Sequence, residues 1–282
     1  MSMAGLEATL GERGWIAVDL PDPRSVEHAR DQLLAYLRAK ALPGLASLED
    51  YHTRIDDWRH TEVLHELATF YWEAELGRAV MLANLDLFRR LVGPDLHVQR
   101  CPYLRAVRPG TPGDAAPLHR DTYYGASPYE VSVLVPFTEM TAESAVRVVS
   151  GSHVAADAEY PYSQHVSPDV TIRSPKHQLG FPYAPRLLDP ELVGRTETVP
   201  LRVGQALVFG LSLVHGHGRS LGRRTRFSSD IRVVNSLAPV SWSRGVRDDY
   251  YVPLCSSAVS RSARRYLAAN EATPAPAQRA SQ

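Results

Sequence analysis

The chain has 282 residues, 44% of them hydrophobic, which is enough for one large domain with a sizeable core. Lys plus Arg and Asp plus Glu both number 31, so no global basic field favours nucleic acid or an anionic membrane. Two cysteines, Cys101 and Cys255, are too few for a disulfide scaffold, and the charged N-terminus has neither a signal peptide nor an apolar span, so a cytoplasmic protein is expected.

Residues 14–19 read as a short strand. Asp22 is placed to cap a helix with Pro23 at its first position, and Val26, Ala29, Leu33 and Leu37 recur at helical spacing to about residue 41. A second helical region runs from about 61 to 92, with an interruption expected near Gly77. After Gly93-Pro94 the apolar period changes to two. Strands are predicted at about 96–107, 116–120, 130–137, 145–149, 169–173, 195–201, 205–210, 213–217 and 225–236. Short strands at this density, separated by Gly and Pro, indicate a mainly β fold with N-terminal helices, a jelly roll or cupin-like double-stranded β-helix. The insert at 154–192 holds Tyr160, Tyr162, His165, Lys176, His177 and Tyr183 and reads as a loop over the barrel mouth. One domain is expected over 1–270: a helical part at 1–93, a jelly-roll core at 94–256 and a C-terminal helix at 257–270, with a disordered tail at 271–282.

His119 and Asp121 are two apart, so on an extended strand both side chains leave one face. An imidazole and a carboxylate projected together form two corners of a metal site, and His215 from a distant strand supplies the third. That is the 2-His-1-carboxylate arrangement suited to non-haem Fe(II) and O2 chemistry. His217 shares the strand face with His215. His215 is preferred as the ligand because ten residues separate it from Arg226, which leaves His217 either behind the ligands or as a cosubstrate contact. Arg226 on the following strand can take a carboxylate in bidentate fashion, and Ser228 points to the same face. A metal triad beside a buried Arg/Ser pair suits a chelating dicarboxylate such as 2-oxoglutarate. Arg120, Thr122, Tyr123 and Tyr124, next to the metal motif, are candidate substrate contacts, since aromatic faces stack on sugar rings.

With these residues the stretch from about 96 to 236 resembles the phytanoyl-CoA-dioxygenase-type branch of Fe(II)/2-oxoglutarate oxygenases. The matching pieces are Leu118 to Thr122, Val131 to Phe137, Ser150 to His153, and Gly204 to Phe209 leading to His215 and Arg226. Glu143-Ser144 and Ser150 depart from the usual pattern and point away from a fatty acyl substrate. Thr122 to Gly125, with Ser228 to Arg232, resembles the oxygenases of carbohydrate-antibiotic clusters, including those that close orthoester or methylenedioxy bridges in orthosomycins. The resemblance implies Fe(II), O2 and 2-oxoglutarate as cofactors. It also implies oxidation of a C–H bond of a sugar-containing natural product, an oligosaccharide or aminoglycoside, by hydroxylation or oxidative cyclisation in antibiotic biosynthesis. Other readings are a phytanoyl-type small-molecule hydroxylase, and a cupin-like metal enzyme or sugar-binding β-sandwich that does without 2-oxoglutarate.

Overall fold

The computed structural model describes residues 3–163, 186–218, 220–239 and 250–271. A helix that no apolar period had marked, α1 (Met3–Arg13), precedes the first strand, β1 (Trp15–Asp19). In α2 (Arg24–Lys40) Val26, Ala29, Leu33 and Leu37 are buried, the face that their spacing predicts. Pro23 takes the N-cap rather than the first helical position, and Asp22 Oδ1 accepts from Arg24 N at 3.1 Å from one residue further out.

The region expected as one interrupted helical stretch is three helices: α3 (Asp57–Glu73), α4 (Leu76–Ala83) and α5 (Leu85–Val92). The chain breaks at Glu75, in the left-handed region at φ +49°, and at Asn84, not at Gly77. Gly77 lies inside α4 for a packing reason, since a Cβ there would meet the Tyr71 hydroxyl at 2.6 Å. Asn84 closes α4 by donating its side-chain amide to Val80 O and Ser25 Oγ, and it accepts from Asp22 N at 2.7 Å.

The strands that follow are β2 (Leu96–Gln99), β3 (Tyr103–Val107), β4 (Ala116–His119), β5 (Glu130–Pro136), β6 (Val146–Val148), β7 (Tyr162–Ser163), β8 (Arg186–Leu187), β9 (Glu197–Val199), β10 (Gln205–Gly210), β11 (His215–His217), β12 (Arg226–Asn235) and β13 (Tyr251–Cys255). A C-terminal helix, α6 (Ala258–Glu271), closes the described chain. The large sheet has the order β1-β10-β5-β12-β2-β13, with β3 also on β12, and the small sheet has the order β4-β11-β6-β9. The single strand expected at 96–107 is two, because the chain turns at Arg100 to Pro102, where proline has no N–H for a ladder. Both pieces still lie along β12, β3 against Arg226–Asp230 and β2 against Val233–Asn235. β13 carried no strand signal. It sits at the sheet edge, where Pro253 is tolerated. The strand expected at 169–173, the side chains of His165, Lys176, His177 and Tyr183, and the tail beyond Glu271 lie outside the described residues.

Period-two alternation decides what each strand offers to which side. On β12, Phe227, Ile231 and Val233 enter one core cluster with Val133, Val135, Ala206 and Val208 and with Leu33, Leu37, Leu64 and Phe88 of the helices. Each fully buried side chain of this kind contributes about 1.5–3 kcal/mol. Leu134, Leu207 and Phe209 point the other way and pack with Val146, Val148 and Val199 of the small sheet. On that same inner side β12 places Arg226, Ser228, Asp230 and Arg232. No helix among the described residues is long and apolar enough to cross a membrane.

Candidate metal centre

His119 ends β4, His215 opens β11, and the two are direct partners in the antiparallel register. Their ring centroids are 4.5 Å apart. Asp121 is not on the strand with His119, as the spacing alone suggested. It starts a short 3-10 turn, Asp121–Tyr124, in which Asp121 N and Thr122 N both donate to Leu211 O. The turn brings the carboxylate back to the histidines. Asp121 Oδ1 lies 3.5 Å from His119 Nε2, and Oδ2 lies 3.7 Å from His215 Nε2. One donor atom from each of the three buried residues falls within 4.8 Å of the others.

The main chain fixes both imidazoles. His119 Nδ1 donates to Pro117 O at 2.6 Å and His215 Nδ1 to Leu213 O at 3.0 Å. A carbonyl can only accept, so each ring is protonated at Nδ1 and turns the Nε2 lone pair toward Asp121. Burial, and then His119, push His215 down to about 4 against the pull of Asp121, so it is neutral at pH 7. Burial alone would raise the Asp121 carboxyl, but Arg232, His215 and His119 outweigh it and hold the group well below the usual range. Two imidazoles tied to the main chain through Nδ1 and one carboxylate around a single point suit a divalent transition-metal ion with open positions.

His217 is two residues further along β11, but the register shifts between it and His215, and it pairs with Ala116. Gly216 sits at the shift, where a Cβ would lie 2.7 Å from the carbonyl oxygens of Ala116 and Pro117. His217 is buried, and His119, Asp121 and His215 form their group without it. A cavity of about 300 Å³ has Leu118, Arg147, Leu187, Val193 and His217 among its walls.

Arg226 is 1% exposed. Its Nη1 donates to the main-chain carbonyl of Ser144 at 2.8 Å, an acceptor that any residue at that position would offer. Its Nε and Nη2 are buried with no partner, as are Ser228 Oγ and His217 Nε2. Desolvation brings the guanidinium down to about 10, with Asp230 opposing and Arg105 adding, so it stays charged at neutral pH. Asp230 is itself paired with Arg105 at 2.6 Å. No carboxylate among the described residues lies within ion-pair distance of Arg226.

The proposed substrate contacts are arranged differently. Arg120 falls between two inward residues and points away. Its guanidinium donates to Asp157 Oδ1 at 2.5 Å and to the carbonyls of Ser152 and Ala155. Tyr123 is 6% exposed, donates its hydroxyl to Tyr160 O and stacks on Tyr162 with centroids 3.8 Å apart. Both residues build the base of the insert. Thr122 is partly exposed beside Asp121, and the side chain of Tyr124 lies outside the described residues.

Sequence reasoning passed over Arg232, whose Nη2 lies 3.1 Å from Asp121 Oδ2. The signal was present, because Arg232 shares the strand face of Arg226, six residues on. Its guanidinium stands 5.7 Å from the centre of the Tyr103 ring, and the Tyr103 and Tyr250 hydroxyls are 3.5 Å apart. Tyr250 follows a stretch without motif and gave no signal.

The family model described as phytanoyl-CoA dioxygenase matches residues 44–228. No curated protein matches the chain. Among solved structures, the apo form of ThoJ, described as a non-heme monooxygenase, is 20% identical, with 95% of each chain covered and a TM-score of 0.57. SnoN, described as a non-heme alpha ketoglutarate dependent epimerase from nogalamycin biosynthesis, is 16% identical over 90% of this chain and 98% of its own, with a TM-score of 0.51. At such identity the likeness concerns the fold, a jelly-roll oxygenase scaffold. The match over residues 44–228, more than half of the chain, makes this protein a member of the phytanoyl-CoA dioxygenase family, an Fe(II)- and 2-oxoglutarate-dependent dioxygenase that uses O2.

Proposed function

We propose that His119, Asp121 and His215 hold the iron, that Arg226 and Ser228 hold the distal carboxylate of 2-oxoglutarate, and that the enzyme oxidises a C–H bond of a sugar-containing natural product in antibiotic biosynthesis. The observation that carries the cosubstrate assignment is the set of orphaned polar atoms, Arg226 Nε and Nη2 with Ser228 Oγ. Buried donors without partners cost about 1–3 kcal/mol each, more when charged, and a carboxylate would satisfy all three. His217 completes the pocket in another sense. Its Nδ1 donates to Gly218 O at 3.3 Å, and its Nε2 is buried without a partner like the polar atoms of Arg226 and Ser228.

Iron with 2-oxoglutarate and O2 supplies the oxidising power for a C–H bond. The chain's own residues supply placement. Main-chain carbonyls lock both imidazoles, the turn after His119 returns Asp121, and the guanidinium of Arg226 would hold the far carboxylate of the dicarboxylate. Beside Asp121 the wall is polar, built from Arg232, Tyr103, Tyr250 and Thr122, which supports a substrate rich in hydroxyls over a bare alkyl chain. The folds of a monooxygenase and of an antibiotic-biosynthesis epimerase are consistent with this class.

The test incubates the protein with Fe(II), 2-oxoglutarate and O2 and a panel of glycosylated antibiotics, aminoglycosides and phytanoyl-type thioesters. The reading expects succinate formation coupled to a glycoside that gains one oxygen atom or loses two hydrogens. Turnover of the thioesters, with no glycoside changing mass or stimulating succinate, contradicts it.

A further inference from the structure

We propose that Arg232 sets the metal affinity of the centre, its charge loosening the hold on a divalent ion until a dianionic cosubstrate is present. The proposal rests on His119, Asp121 and His215 as metal ligands. Arg232 Nη2 lies 3.1 Å from Asp121 Oδ2, while Oδ1 is the oxygen nearer His119. One carboxylate oxygen is thus engaged by a cation, which leaves the other for a metal. The Tyr103 ring stands against the guanidinium from another side, its centre 5.7 Å away, and the main-chain N of Arg232 donates to Gln99 Oε1 at 3.2 Å, which fixes the strand that carries it.

Two effects of opposite sign follow. A hydrogen bond that orients a ligating carboxylate strengthens metal binding, and its removal commonly weakens binding by about 10- to 100-fold. A fixed positive charge one carboxylate away from a divalent ion repels it, most strongly where water is scarce. Orientation is the redundant effect in this site. The main chain already places Asp121, through the bonds of Asp121 N and Thr122 N to Leu211 O. The charge has no such substitute. Asp230 is taken by Arg105, and Glu130 accepts from Tyr251 and from Ser127 N, so Asp121 is the carboxylate that balances Arg232 among the described residues. Repulsion therefore wins, and removing Arg232 tightens the metal. A dicarboxylate bound beside the metal reverses the local sign, and Arg232 then favours it. By linkage, metal and 2-oxoglutarate strengthen each other more with Arg232 than without it.

Calorimetric titration of Mn2+ into metal-free full-length protein, with and without 2-oxoglutarate, tests this in wild type, Arg232→Gln and Arg232→Lys, with thermal melting as the check on folding. Without 2-oxoglutarate, Arg232→Gln is expected to bind Mn2+ at least about tenfold tighter than wild type, with a smaller gain when 2-oxoglutarate is added. Arg232→Lys keeps the charge and is expected within about threefold of wild type. A folded Arg232→Gln that binds Mn2+ equally or more weakly overturns the proposal. Should that variant not fold, Arg232→Lys decides, since a loss of about tenfold or more would mark a purely geometric anchor. Failure of wild type to bind Mn2+, or binding that survives His119→Ala, overturns the metal-ligand reading instead, and the two failures are distinct.

Discussion

A guanidinium buried with two N–H groups unpartnered is held at a cost unless something negative arrives beside it. Arg226 is in that position, and losing its charge-assisted contact should cost on the order of 2–4 kcal/mol of 2-oxoglutarate binding, or about 30- to 1000-fold. Titration of 2-oxoglutarate into anaerobic Mn2+-loaded Arg226→Ala measures it directly. Arg226→Lys should recover only part, since it lacks the planar fork, and an unchanged constant in Arg226→Ala would remove Arg226 from the pocket. At this scale the meeting of His119 and His215 and the inward face of Arg226 were legible, because strand pairing and period-two alternation place them. Asp121 was placed on a strand, but a 3-10 turn returns it, a detail that two-residue spacing does not encode. Arg120 and Tyr123 looked available because neighbours in sequence were taken for neighbours in the site. Alternation sends Arg120 to the Asp157 side, where it braces the loop instead.

Gly216 has a role that belongs to the element. β11 approaches β4 so closely at the bulge that a Cβ at Gly216 would press on two main-chain carbonyls, which cannot swing aside as a side chain can. Gly216→Ala should therefore lower stability by about 1–3 kcal/mol, read as a shift in the denaturant midpoint, and weaken metal binding by moving His215 relative to His119. Wild-type metal affinity in a folded Gly216→Ala protein would show that the pairing is looser than the register implies. Elements with strong periodicity, α2 and β5 among them, were legible. The splits were not. The break at Glu75 comes from a left-handed residue that no glycine announced, and the actual glycine, Gly77, is needed for contact with Tyr71. β13 escaped notice because an edge strand with a proline carries little alternation.

At the scale of the molecule, helices cover one face of the large sheet, and a polar network joins α3 to Arg108, the residue that follows β3. Arg108 bonds Asp114 through Nε at 2.8 Å and Asp57 through Nη1 at 2.6 Å, and His60 sits 3.8 Å from Asp114 with Nδ1 on the Tyr51 hydroxyl. Asp114 has its cation in Arg108, so His60 stays neutral. Burial, and then Arg108, lower it from 6.5 to about 4, with Asp114 and Asp57 opposing. The unfolded chain takes up this proton first. Stability from a neutral His60 is thus complete above about pH 6.5 and is lost as the pH falls toward 4, by on the order of 3 kcal/mol. Urea unfolding at pH 7 and at pH 4.5 should show that loss in wild type and a smaller one in His60→Gln; equal losses in both would place the acid sensitivity elsewhere. The layered fold as a whole was legible from the change of period after Gly93-Pro94, while this network was not, since its members lie far apart in the sequence and share no spacing. Anaerobic equilibrium dialysis of Fe(II) against wild type and the single Ala variants of His119, Asp121, His215 and His217 separates the metal ligands from their neighbours. One ion per chain in wild type and in His217→Ala, with none retained by the other three, is the expected result; iron kept by His215→Ala and lost by His217→Ala would contradict it.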